Sequence, residues 1–180
     1  MSNALHTERL ILRPPGRQDL HQFVPLIGDY EVAKNLLRAP HPYTEEDGRA
    51  FLLSCARGWA KNDNWVFAIL LKDARSCVGM CGVHPDQAWE IGYWIGQPYW
   101  GKGYGTEAVA HLIAYAFEQG ADRLTARWFH DNPASGRVLE KLGFVASGED
   151  SGLCLARHEQ VSAHVAALDR AAHLTRKMAA

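Results

Sequence analysis

The chain has 180 residues, 47% of them hydrophobic. That length suits one domain, spanning 1–180, able to bury roughly 70% of the surface its unfolded form exposes. The net charge of −1 gives no broad attraction to nucleic acid or to an anionic membrane, so neither is expected as a partner. No apolar run approaches the roughly 18 residues of a spanning helix, and the N-terminus lacks the charged head and apolar core of a signal peptide. Cys55, Cys77, Cys81 and Cys154 show no C-x-x-C spacing and read as free thiols in a reducing cytoplasm.

Leu5 to Arg13 alternates, with Leu10 and Leu12 opposite Arg9, Ile11 and Arg13, and predicts one strand ended by Pro14-Pro15. Leu20, Phe23, Val24 and Ile27 mark a short helix stopping near Gly28, and residues 29–43 read as irregular. Thr44-Glu-Glu-Asp47 is a capping-box start, with Asp in place of the usual Glu or Gln, for a helix reaching about Lys61. Two strands follow as a hairpin, Trp65–Leu71 and Cys77–Val83, then a loop and a buried strand over 89–95. Cys77 and Cys81 share one extended strand and are not expected to be bridged.

Residues 99–119 organise the chain. Gly101, Gly103 and Gly105 alternate with Lys102 and Tyr104, and a helical pattern begins at once, with Ala108, Val109, Leu112, Ile113 and Ala116 on one face and Gly120 as the stop. Glycines let a backbone turn tightly and approach a ligand, and the free N–H groups of a first helical turn attract a phosphate. The loop matches neither Gly-x-x-x-x-Gly-Lys-Ser/Thr nor Gly-x-Gly-x-x-Gly. Residues 122–129 form a strand, and Asn132 caps a helix with Pro133 in its first position. Two last strands are expected near 149–156 and 160–168, and a frayed helical or loose end over 169–180. The order predicts a mixed α/β sheet with a parallel pair at its centre.

Trp100-Gly-Lys-Gly-Tyr-Gly105 resembles the acyl-CoA pyrophosphate loop of the GNAT acetyltransferase superfamily. Residues 131–144, Asp-Asn-Pro-Ala-Ser-Gly-Arg-Val-Leu-Glu-Lys-Leu-Gly-Phe, are similar to that superfamily's segment after the next strand. The opening Thr-Glu-Arg-Leu-Ile-Leu-Arg-Pro resembles the branch containing ribosomal-protein alanine acetyltransferases. The resemblance implies the GNAT fold, a mostly antiparallel sheet with helices on both faces whose central parallel strands splay around acyl-CoA. It also implies acetyl-CoA as co-substrate, a primary amine (a protein N-terminus or a small molecule) as acceptor, direct attack in a ternary complex, and a homodimer.

Carried onto this sequence, the resemblance assigns the thioester or pantetheine to the amide near Ile95 and the pyrophosphate to Gly101, Lys102, Gly103, Tyr104, Gly105 and Thr106. Asn132 would reach the pantetheine and Arg137 the nucleotide end. Trp100 stands where Gln or Arg is usual, which removes one polar contact. Leu139 stands where many members place a tyrosine acid, and Ser135 matches a serine of the ribosomal branch, which as the second catalytic candidate would donate a hydrogen bond to the sulfur directly or through water. Glu90, among Trp89, Ile91, Tyr93 and Trp94, is the leading base candidate, with Asp131, His84 and His130 behind it. The segment Gly96-Gln97-Pro98 holds no acid.

No metal is expected. His158-Glu159 precedes His164 by the wrong spacing for His-Glu-x-x-His, on a segment that reads as strand. Two other functions stay open: a non-catalytic acyl-CoA-binding module, and a nucleotide-binding domain using the glycine loop.

Overall fold

The computed structural model describes residues 4–179. Eight strands form one mixed sheet: β1 (Leu5–His6), β2 (Leu10–Arg13), β3 (Trp65–Leu71), β4 (Cys77–His84), β5 (Glu90–Ile95), β6 (Arg123–Phe129), β7 (Val145–Cys154) and β8 (Glu159–Asp169). Their spatial order is β1-β2-β3-β4-β5-β6-β8-β7. The helices are α1 (Leu20–Gly28), α2 (Tyr30–Ala33), α3 (Glu45–Lys61), α4 (Tyr104–Glu118), α5 (Pro133–Lys141) and α6 (Arg170–Ala179). None is long and apolar enough to cross a membrane among the described residues.

Strand β3 shows why the core has two layers. Trp65, Phe67 and Ile69 point to the face covered by α4 and α5, where they meet Leu112, Ile113 and Leu139. Val66, Ala68 and Leu70 point to the other face, with Phe23 of α1, Ala33 of α2 and Leu52 of α3. A strand buried on both faces reads as a continuous apolar run, as this one does. The face of α4 read from spacing is the buried one, from Ala108 through Ala116. The capping box of α3 forms as expected, with Asp47 N–H donating to Thr44 Oγ1 and Asp47 Oδ2 accepting from Thr44 N–H.

The structure corrects three expectations. Residues 5–13 form a hairpin rather than one strand, pairing Leu5 with Leu12 and His6 with Ile11. The Thr7 hydroxyl accepts from Leu10 N–H at 2.8 Å and closes the turn. Residues 29–43 contain α2, capped by Asp29. Strand β7 begins at Val145, four residues early; it is an edge strand exposed from Val145 through Ser151, so it carries no apolar alternation to read. Of the two forms expected for the tail, the helix is the one present: Arg170 donates to the carbonyls of Phe117 and Ala121 and docks the start of α6.

The centre of the sheet divides. Strand β5 pairs with β4 over six residue pairs, and β6 with β8 over seven. The parallel β5–β6 pair registers at only two, Glu90 with Thr125 and Ile91 with Ala126.

Candidate active site

Beyond Ile91 the two parallel strands part, and a cavity of about 870 Å³ opens between them. The Gly96 N–H bonds the Val78 carbonyl on the β4 side, and the Trp89 carbonyl accepts from Thr125 on the β6 side. Main-chain groups alternate in direction along a strand, so the Ile95 N–H points into the gap.

The glycine loop closes one end of that cavity. Gly101 and Gly103 have φ of +73° and +80°, conformations that L-residues with a Cβ disfavour. Glu107 N–H makes the first helical bond, to Gly103, so the N–H groups of Tyr104, Gly105 and Thr106 lack an intrahelical acceptor. With the helix dipole behind them, they are donors of the kind that suit an anion. Gly105 lies against Tyr93 and Ile95 of β5, where an added Cβ would make ordinary van der Waals contact at 3.5 Å. Lys102 Nζ donates to the Pro98 carbonyl at 3.1 Å and lies over the Tyr99 ring. Trp100 is turned from the loop, its indole N–H donating to the Ile95 carbonyl at 2.6 Å.

Sequence reasoning missed what holds the loop from behind. Glu107 accepts from the Arg9 main-chain N–H at 2.8 Å, from Arg9 Nε at 2.7 Å and from the Thr7 hydroxyl. Arg9 also donates to the Lys102 carbonyl at 3.0 Å and covers the Tyr104 ring. Although burial pushes the Glu107 carboxyl up, the bonds from Thr7 and Arg9 outweigh it and hold it below the usual carboxylate range.

The other wall is the start of α5. Asn132 caps it, its side-chain oxygen accepting from Ser135 N–H at 3.3 Å. The Ser135 hydroxyl lies 2.9 Å from the Tyr93 hydroxyl, which also donates to the Ser135 carbonyl at 3.2 Å. The sequence offers Tyr93 as one of a cluster of aromatics able to line the channel, and gives it no part in proton transfer. Burial pushes its phenol up to about 12 against the opposing effect of the Ser135 bond, so it is protonated at neutral pH. Leu139, where a tyrosine was looked for, is buried in the core. Arg137 is exposed at the cavity rim and makes no ion pair among the described residues.

Glu90 does not stand free. Its two oxygens accept from Arg127 Nε at 3.0 Å and Nη2 at 2.6 Å, and Arg127 also reaches Asp150 at 2.7 Å. Glu90, the leading base candidate, is thus held in a two-pronged ion pair with Arg127. Asp131 is likewise committed: a two-pronged bond from Arg157 is the main cause that holds it below the usual carboxylate range. His84, paired across the ladder with Glu90, lines the cavity, and burial pushes its imidazole down, so it is neutral at pH 7. His130 lies outside the cavity wall, against Glu149. All four cysteines are buried as free thiols.

A family model described as Acetyltransferase (GNAT) domain matches residues 9–145. The chain belongs to the GNAT acetyltransferase family. It is 31% identical to the uncharacterised N-acetyltransferase p20 of Bacillus licheniformis over 80% of this chain and 83% of that protein. The fold matches ribosomal-protein-S5-alanine acetyltransferase of Vibrio fischeri with a TM-score of 0.79, at 22% identity over 92% of this chain and 96% of that one. It matches RimL, a ribosomal L7/L12 α-N-protein acetyltransferase solved with coenzyme A, with a TM-score of 0.79, at 17% identity over 93% and 98%. In this GNAT chain the splayed pair is β5–β6 and the glycine loop opens α4.

Proposed function

We propose that this GNAT enzyme transfers the acetyl group of acetyl-CoA to a primary amine by direct attack in a ternary complex. The observation that carries the reading is the gap itself. One cavity joins an anion site behind Gly101 and Gly103 to the Tyr93–Ser135 hydroxyl pair. The pyrophosphate lies on the amides of Gly101 to Thr106, with Lys102 at the rim, and Arg137 takes the nucleotide end. The side-chain NH₂ of Asn132 is available to the pantetheine, because its oxygen is used for the cap. The thioester carbonyl accepts from Ile95 N–H, a donor that strengthens as the oxyanion forms.

The amine nitrogen attacks the carbonyl carbon, the C–N bond forms and the C–S bond breaks. Tyr93, kept protonated by burial, gives a proton to the departing thiolate through or beside Ser135, and the α5 N-terminus stabilises its charge. The proton of the amine leaves on the acceptor side, where neutral His84 faces the cavity. No acyl-enzyme is required.

The names of the two ribosomal fold neighbours make a protein α-amine the first acceptor to test. The protein is incubated with acetyl-CoA and a panel of peptides with free N-termini and small amines, followed by mass spectrometry. Acetylated product that falls in Tyr93→Phe is the expected result. Bound acetyl-CoA with every amine unmodified would overturn the reading in favour of a non-catalytic acyl-CoA-binding module.

A further inference from the structure

A second group of side chains, outside the cavity, has the makings of a metal site. His130 follows β6, Glu149 lies on β7 and His164 on β8. The strands are neighbours, and Glu149 is paired directly with His164. His130 N–H bonds the Ser162 carbonyl, which fixes the backbone beyond the end of β6 against β8. The two imidazoles stack, with ring centroids 4.1 Å apart and 26° between planes. Each offers a nitrogen to a different oxygen of one carboxylate: His130 Nε2 to Glu149 Oε2 at 2.5 Å, and His164 Nδ1 to Glu149 Oε1 at 2.8 Å. Trp128 packs beside His164 with ring centroids 5.2 Å apart.

The histidine pattern weighed in the sequence, His158-Glu159 with His164, is not the one the fold assembles. His164 instead meets residues 15 and 34 positions earlier in the chain, a constellation that no linear spacing announces. We propose that His130, Glu149 and His164 bind one first-row divalent cation of the zinc class, with water completing the shell. Two imidazoles and one carboxylate are a ligand set that such ions take, with bonds of about 2.0–2.2 Å. Those bonds set donor atoms roughly 3.4 Å apart around a tetrahedral ion. The three donors already lie within 4.8 Å of one another. All three side chains reach solvent, at 47%, 61% and 41%, which leaves room for χ rotations that open the 2.5 and 2.8 Å hydrogen bonds to that spacing. Their backbones sit on or beside a ladder of three strands, which presets the spacing. The ion would staple the exposed edge strand β7 to β6 and β8, next to the start of α5.

The test is calorimetric titration of zinc chloride into untagged, metal-stripped protein, alongside His164→Gln and Glu149→Gln. One equivalent is expected to bind to the wild type, with affinity at least about tenfold weaker in each variant. Zinc-edge X-ray absorption of the wild type, which depends on no variant, is expected to show two imidazole ligands. Absence of binding at submillimolar zinc would overturn the proposal. So would affinity unchanged in both variants, or a spectrum without imidazole scattering.

Discussion

The Tyr93 hydroxyl sits 2.9 Å from Ser135 Oγ, in a wall formed by two elements far apart in sequence. Each hydroxyl alone is a modest donor. Together they place a protonated phenol behind a serine at the cavity. Tyr93→Phe is expected to lower kcat by about 100-fold or more while leaving the KM for acetyl-CoA near its original value, as measured by steady-state release of free CoA. The same burial predicts an alkaline effect. The phenol is raised from 10 to about 12 in the folded chain, so its contribution to stability is intact below pH 10 and is lost as pH rises toward 12. In Tyr93→Phe that component of the alkaline loss should vanish, as read from unfolding midpoints between pH 9 and about 12.

At the scale of elements, the β1–β2 hairpin is a brace for the glycine loop. Glu107 in the first turn of α4 accepts from Thr7 and twice from Arg9, and Arg9 continues to the Lys102 carbonyl. Glu107→Gln replaces an accepting oxygen with an NH₂ that faces donors, and is expected to cost about 1–3 kcal/mol in denaturant unfolding. Because the Glu107 carboxyl is held below its ordinary value of 4.5, its stabilisation is present above that pH and lost as pH falls below it. The variant should lack this part of the acid-side loss.

The same elements show what the sequence makes legible. The face of α4, the cap of α3 and the glycine positions follow from local periodicity and φ requirements, and each is readable within a window of a few residues. The 5–13 hairpin was not readable, because the Glu107 that braces its turn lies 98 residues from Arg9. Strand β7 was read short because neither of its faces is buried over most of its length. Tyr93 and Glu90 stood in a recognised strand, but Ser135 and Arg127, which give them their surroundings, are supplied by the fold. The motif residues could be named in advance, whereas the partners that set their chemistry could not.

Across the whole molecule, the sheet is two antiparallel halves, β1 to β5 and β6-β8-β7, joined at its centre by two residue pairs. Helices α4 and α5 cover the seam on one face, and the cavity enters where the pairing stops. On the proposed function, this seam binds acetyl-CoA through the loop at Gly101 and Gly103. The most direct measurement is calorimetric titration of acetyl-CoA into the wild type and Gly103→Ala, with ATP and NAD as controls. At φ +80° alanine is strained by about 1–2 kcal/mol and its Cβ would stand 3.3 Å from an Arg9 nitrogen. The wild type is expected to bind 1:1 with roughly micromolar affinity, the variant about tenfold more weakly, with no comparable heat from ATP or NAD. Acetyl-CoA that fails to bind, or binds no better than ATP or NAD, would contradict it.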